Sequence, residues 1–353
     1  MAFVTDSFDE TRAKILADIK NLLPSADVSE DSDFYIRASS VASVITGLYR
    51  HQAWIVRQIF PDTADTEYLE WHCRLRNITR KAQTTASGII SGTGEPGATA
   101  DAGRTINRGS LSYTTTQTVT VAADGRFSVS AVPTLAGTAG NTTAAVTGTF
   151  TSTPPGFDST VTIGVMAGGT ERETDAEMLA RLLDVIRRPP AGGNKYDYRR
   201  WAMSVDGVSA AYVYPLRRGL GTVDVVITSA NGLPSADVIN KVQAYIDDVR
   251  PVTAKSTMIL APTPKNVDIS VAISVSGVTV LTVTQNIRDA LTGYFNTLEP
   301  GESFIRSQAE MLISQISGVV DRAIVSPAGN IAATVNNEVV EWLRVGNITV
   351  TTL

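Results

Sequence analysis

Thr118-Val119-Thr120-Val121-Ala122-Ala123-Asp124-Gly125-Arg126-Phe127-Ser128-Val129 decides how the middle of this chain is read. Apolar and hydroxyl side chains alternate on both sides of an Asp-Gly pair. Period-two alternation marks a strand with one buried face, and Thr and Val suit a pleated surface. The neighbourhood has the same character: Ala86 to Thr170 holds 19 Thr against three Arg, four acidic residues and no Lys. Gly and Pro punctuate the runs at Asp124-Gly125, Pro133 and Pro154-Pro155-Gly156. So little charge would also fit a disordered linker, but the regular strand spacing favours a folded domain. Residues 86–165 are therefore expected to form an all-β module, a small sandwich or barrel inserted between regions of different composition.

Toward the N-terminus the periodicity becomes helical. Ile15, Leu16, Ile19, Leu22 and Leu23 share one face before Pro24. Asp31-Ser32-Asp33 offers N-caps for a longer helix whose apolar stripe is Val41, Val44, Ile45, Leu48, Ile55 and Ile59, ending before Pro61. A third helix is expected over Thr66 to Ile78. A long helix with a narrow stripe packs in a bundle, within the chain or with a partner, and the stripe alone does not separate the two.

Toward the C-terminus, Thr174-Asp175-Ala176-Glu177 is a capping box ahead of Met178, Leu179, Leu182, Leu183 and Ile186. After Pro189-Pro190 and Gly192-Gly193, a short helix is expected over 195–203. Strands follow at 208–214 and 222–228, a helix at 235–249 and a strand at 256–260. The alternation repeats: a strand at 267–275, helices bearing Ile287, Leu291, Phe295 and Leu298 and then Ile305, Leu312, Ile313 and Ile316, and strands at 319–325, 339–343 and 348–350. The fold class is multidomain α+β. A helical region spans 1–85 and the β module 86–165. Two small α+β modules span 166–262 and 263–353.

The 353 residues carry 30 Lys+Arg against 35 Asp+Glu, a formal charge of −5, so nucleic acid and anionic membrane are poor partners. One cysteine, Cys73, excludes an internal disulfide and a multi-thiolate zinc site. Two histidines leave few parts for hydrolytic or metal chemistry. No run approaches the roughly 18 apolar residues of a membrane span. The start, Met1-Ala2-Phe3-Val4-Thr5-Asp6, lacks the basic and apolar regions of a secretory leader, so folding in a reducing cytoplasm is expected.

Candidate chemistry yields to simpler readings. Gly92-Thr93-Gly94-Glu95-Pro96-Gly97 has dinucleotide-motif spacing, but Pro96 and the aperiodic residues after it point to a turn between strands. His72 and Cys73 are adjacent on a helix and diverge by about 100°, so they do not form a nucleophile–base pair. Asp62, Asp65, Glu67 and Glu70 read as the solvated start of a helix. No catalytic, cofactor or metal residues are assigned. Arg187, Arg188, Lys195, Arg199 and Arg200 form the one strong local charge excess, interleaved with Tyr196, Tyr198 and Trp201. That mixture favours a protein contact, so Arg187, Arg188, Tyr196, Tyr198, Arg199 and Trp201 join the stripe as candidate partner-interface residues.

An ordered series of short motifs carries a resemblance. It begins with Tyr68-Leu69-Glu70-Trp71-His72, Arg76-Asn77-Ile78-Thr79-Arg80 and Ala86-Ser87-Gly88. Gly137-Thr138-Ala139-Gly140-Asn141 follows, then Gly168-Gly169-Thr170-Glu171-Arg172-Glu173-Thr174-Asp175. The series closes with Pro190-Ala191-Gly192-Gly193-Asn194, Asp197-Tyr198, Trp201-Ala202, Asp206-Gly207-Val208, Pro215, Gly221-Thr222-Val223 and Arg250-Pro251. From about residue 60 to 262 this order resembles the baseplate J-like wedge proteins of contractile-tailed phages, the Mu-type member most closely. Cys73 and Asn77 stand where small residues or Gly are more usual. The resemblance implies a structural virion protein rather than an enzyme, working without cofactors. It implies association with itself, in two copies per wedge, with a smaller wedge protein and a sheath-proximal wedge protein, and around a central hub and spike. It further implies a part in the rearrangement that triggers sheath contraction. A tail adhesin or receptor binder is the alternative that the Thr/Gly-rich module suggests.

Overall fold

A computed structural model describes residues 5–230 and 232–353. Met1-Ala2-Phe3-Val4, read above for a leader, lies outside the described residues. The chain divides into two compact units, Met1–Arg80 with Thr174–Arg187, and Lys81–Glu173 with Arg188–Leu353.

The first unit is helical. Helix α1 (Phe8–Leu22) starts in a capping box: the Glu10 amide donates to Ser7 Oγ and the Ser7 amide donates to the Glu10 carboxylate. Helix α2 (Asp33–Ile59), capped by Ser32, has 27 residues and so spans about 40 Å. It packs against α1 where the Arg12 guanidinium lies over the Phe8 and Tyr35 rings. The residues that α2 buries are Ala38, Ala42 and Gln58, two of them small enough for close approach. Helix α3 (Thr66–Arg74) is shorter than the expected 66–78. Asn77 adopts φ 55°, and the Ile78 amide turns back to the Cys73 carbonyl, which stops the helix. Asn tolerates this left-handed conformation best after Gly, which accounts for Asn77 at a position where Gly is more usual. Helix α4 (Asp175–Arg187) packs on α3, and Leu69, Cys73, Ile78, Met178 and Leu182 form their shared core. The sequence partition put this helix in the 166–262 module. It folds with the N-terminal helices instead, because its Met178–Leu182 face is the complement that α3 needs.

The second unit opens with the β module: β1 (Ser87–Gly94), β2 (Thr99–Ala100), β3 (Thr105–Arg108), β4 (Leu111–Thr115), β5 (Val119–Thr120), β6 (Arg126–Pro133), β7 (Val146–Phe150) and β8 (Phe157–Ala167). Six of these close an antiparallel barrel in the order β1-β6-β4-β3-β7-β8, and β2 pairs with β5 as a separate ribbon. Alternate residues point inward, so Ile90, Ile106, Tyr113, Phe127, Val161 and Ile163 fill the interior. Phe127, Phe150 and Phe157 stack edge-on or tilted, with centroids 5.0–6.4 Å apart. Gly92 is required here: a Cβ would lie 2.7 Å from the Phe127 ring. Gly97 of the same glycine-rich motif has φ 86° and leads into strand β2, the turn expected from Pro96.

Two α+β layers follow. In the first, α5 (Lys195–Met203) and α6 (Ala236–Val249) contact a sheet of β9 (Ala210–Pro215), β10 (Thr222–Thr228) and β11 (Ser256–Leu260), ordered β11-β10-β9 with β10 and β11 parallel. In the second, α7 (Val280–Thr297) and α8 (Arg306–Ser314) pack with β12 (Thr263–Val275), β13 (Val319–Ser326) and β14 (Glu341–Thr352), ordered β13-β12-β14. The expected strands at 339–343 and 348–350 are one strand, because a register shift opposite Val267–Ile269 absorbs the irregularity near Gly346. Val267, Ile269, Val271 and Ile273 of β12 meet Val283, Ile287, Leu291 and Phe295 of α7 in one core.

Candidate assembly surfaces and the motif-bearing junction

Most of the short motifs become structural joints. Asn141 imitates a strand partner: its Nδ2 donates to the Gly169 carbonyl at 2.9 Å, and its Oδ1 accepts from the Gly169 amide at 3.0 Å. Glu171 accepts from the Thr138 amide and hydroxyl, both at 2.8 Å, and those bonds hold its pKa below the ordinary range. A Cβ on Gly169 would lie 2.4 Å from the Gly137 carbonyl oxygen, so only glycine permits this approach. In the same joint Thr84 bridges Thr170 in antiparallel fashion, and the Gly137 amide donates to the Thr84 carbonyl at 2.9 Å. The buried Lys81 and Glu173 are doubly bonded, the Glu173 amide donating to the Lys81 carbonyl at 3.1 Å and the Lys81 amide to the Glu173 carboxylate at 3.0 Å, and Lys81 Nζ donates to the Val208 carbonyl at 2.8 Å. Gly168 lies against Ser235, the N-cap of α6. Both ends of the barrel are thus fastened to each other and to the layer that follows.

A second joint forms ahead of α5. Asp197 is 1% exposed and accepts backbone N–H bonds from Ala191, Gly193 and Asn194 at 3.0, 2.7 and 3.2 Å. Burial pushes its carboxyl pKa up, but the three N–H donors and the Arg200 guanidinium win and hold it below the ordinary value. Asn194 returns the favour as N-cap of α5. These bonds fold the Pro190–Asn194 loop into a fixed shape.

The candidate contact residues fall into two groups. On α2, Val41, Val44, Leu48, Ile55 and Ile59 are exposed, Val44 by 64% and Leu48 by 56%, while Ile45 is half-buried. The stripe therefore lies away from the buried Ala38–Ala42 side of its own helix. Other exposed apolar residues of this unit were missed by the sequence reading: Ile36, Phe60 and Trp71. In the basic group Arg187, Arg188 and Arg199 are exposed. Arg188 and Lys195 lie over the Tyr196 ring, at 4.4 and 5.1 Å. Arg200 pairs with Asp197. Tyr198 corrects the sequence reading, because it is 1% exposed and belongs to the core with Val225 and Val242. Its ring meets Trp201 edge-on at 5.0 Å, leaving Trp201 half-buried. Tyr198 packs the layer and cannot touch a partner.

Neighbouring acidic and aromatic groups are internally engaged. Asp65 accepts from Trp54 Nε1 and Gln58 Nε2 at 2.8 and 3.2 Å, and Glu70 pairs with Arg80 at 2.6 Å. Arg80 also meets Asp175 at 2.6 Å; despite burial, these bonds raise its pKa. His72 Nε2 lies 2.8 Å from the Gln58 carbonyl, and Cys73 is core. Among the described residues, no cluster of three or more His, Cys, Asp or Glu is arranged to hold a metal, and no helix is long and apolar enough to cross a membrane.

Joints built from short motifs, exposed apolar and basic–aromatic surfaces and several separate cores suit a structural subunit of a larger particle. Comparison with known proteins makes this specific. Residues 190–260 match the Baseplate J-like central domain and 267–351 the Baseplate J-like protein C-terminal domain. The chain is 30% identical to Mu-like prophage FluMu protein gp47 of Haemophilus influenzae, covering 86% of this chain and 89% of that one. It is 29% identical to baseplate protein gp47 of Escherichia phage Mu, covering 97% and 100%. A chain of the anti-feeding prophage baseplate aligns over 94% of this one at 13% identity, but a TM-score of 0.37 is too distant to carry weight. The chain belongs to the baseplate J-like family of phage proteins. It is a structural protein of the phage baseplate, placed in the virion tail.

Proposed function

We propose that this chain is a wedge subunit of a contractile-tail baseplate. It associates with a second copy of itself, a smaller wedge protein and a sheath-proximal wedge protein, and the wedges ring the central hub and spike. It takes part in the rearrangement that triggers sheath contraction, and it performs no catalysis. The observation that carries the reading is the exposed apolar stripe of α2. Each of these half-exposed aliphatic side chains forgoes about 1 kcal/mol of burial, so five on one face are best explained by a helical partner. The α1–α4 region is then the part shared in a bundle among wedge chains, and residues 188–353 carry contacts between copies.

Leu48→Asp tests this. Leu48 lies outside the unit's own core, so the variant should stay folded, with an unchanged melting temperature, and its self-association through residues 188–353, read as mass by light scattering, should match wild type. Co-expressed with its tail partners, it should fail to co-purify with them, since a charge in a desolvated seam costs several kcal/mol, on the order of 2–5. Normal incorporation of the variant would end the proposal. So would loss of the fold, because Leu48 would then belong to the unit's interior.

A further inference from the structure

Arg344 is a half-buried arginine of the second unit that is held on an aromatic ring. On β14 it lies flat over Trp342, its guanidinium carbon 4.2 Å from the ring centroid. Nη2 donates to Asn296 Oδ1 at 3.0 Å. Nη1 is buried without a hydrogen-bond partner. Nε makes no bond within the chain and is not among the buried unsatisfied atoms, so the Nε–Nη2 edge is the one that faces outward. Among the described residues no carboxylate lies within ion-pair distance of this guanidinium, a lack it shares with Arg104, Arg108 and Arg322, whereas Arg217, Arg218, Arg200 and Arg306 each have one. The nearest acid along the strand, Glu341, is taken by Lys265 at 2.9 Å, and that bond draws the Glu341 pKa down to about 2.

A guanidinium held on an indole face, with one nitrogen desolvated and no counter-ion, is costly for an isolated chain. Its free edge offers two parallel N–H donors at the spacing of a carboxylate's oxygens. The site holds one net positive charge, which matches a monovalent carboxylate better than a dianionic phosphate. We propose that the Nε–Nη2 edge of Arg344, backed by Trp342 and flanked by Asn296, receives a carboxylate, supplied in the assembled particle by an Asp or Glu side chain of a neighbouring protein subunit. The identity of the occupant rests on the assembly role proposed above, but the site itself does not. Burial pushes the Arg344 pKa down, in keeping with a charge that lacks its partner.

The experiment uses the full chain labelled with 5-fluorotryptophan, whose four tryptophans give four fluorine resonances. Trp342→Phe assigns the signal of interest. Acetate is the probe, with chloride and inorganic phosphate matched for ionic strength. Acetate should move the Trp342 signal along a saturating curve with a dissociation constant in the millimolar range. Chloride should give no saturation, and phosphate should bind at least threefold more weakly than acetate. In Arg344→Met the saturable response should vanish while the melting temperature holds or rises, because an uncompensated charge is removed. In Arg344→Lys, which keeps the charge and loses the fork, affinity should fall at least fivefold. Absence of saturation with acetate, an equal response to chloride, or tighter binding of phosphate would each overturn the carboxylate assignment. A fall in melting temperature in both variants would make Arg344 a structural residue, overturning the proposal at its root. Because this readout needs no partner chain, it stands or falls independently of the Leu48→Asp result.

Discussion

Asp197 is the residue that most repays single-site chemistry. Its carboxylate gathers three backbone N–H groups and pairs with Arg200, so the ionised form is what the fold stabilises. A carboxyl whose folded pKa lies below its unfolded value, about 3.9, adds stability that is complete above that value and disappears as pH falls through the folded pKa. Asp197→Asn places an amide NH2 where donors converge and removes the charge. It should cost about 2 kcal/mol near neutral pH, read as a lower denaturant midpoint. The gap between variant and wild type should narrow as the pH drops below 4. A pH-independent gap would mean that the carboxylate charge plays no part. At this scale the sequence was partly legible. Tyr198 was misjudged because Tyr and Trp beside Arg suit an interface and a core equally well, and only the three-dimensional neighbours Val225 and Val242 distinguish them. Arg344 was overlooked because the expected strand ended at 343, which hid its place on the same face as Trp342, and because nothing local announces the lack of an acid.

Elements were read well where their signals are local. The helix at 195–203 and the strands at 222–228 and 256–260 match the structure residue for residue, since caps, Pro-Gly breaks and β-branched runs sit at their ends. Helix α3 was overrun because Asn77 gives a weaker stop signal than Gly. Barrel closure was beyond local reading: β1 pairs with both β6 and β8, and the second partner lies about 70 residues away. What holds those distant elements can be tested at Asn141. Asn141→Ala removes both bonds to Gly169, strands a buried amide and carbonyl, and should lower stability by about 1–3 kcal/mol with an unchanged denaturant slope. An unaltered midpoint would show that the Gly137–Asn141 segment merely lies beside residues 168–171 without fastening them.

For the whole molecule, the exposed segment Arg187–Gly192 marks where the chain leaves the helical unit. Trypsin should cut first after Arg187, since Pro189 protects the bond after Arg188, while Lys81 is buried. The nicked protein should still elute as one species, because the Lys81–Val208 and Gly168–Ser235 contacts hold the halves together on either side of the cut. Primary cleavage within 87–167, or separation of the fragments without denaturant, would contradict this organisation. The paired ends of the barrel carry one more consequence. Because Lys81 and Glu173, and then Thr84 and Thr170, leave and re-enter side by side, the entropy of closing whatever lies between them is met by the frame itself. Such a frame treats the intervening sequence as a cassette. Its loops remote from the seam should accept insertions at little cost in stability, provided that both ends, Gly137 and Asn141 keep their hydrogen bonds.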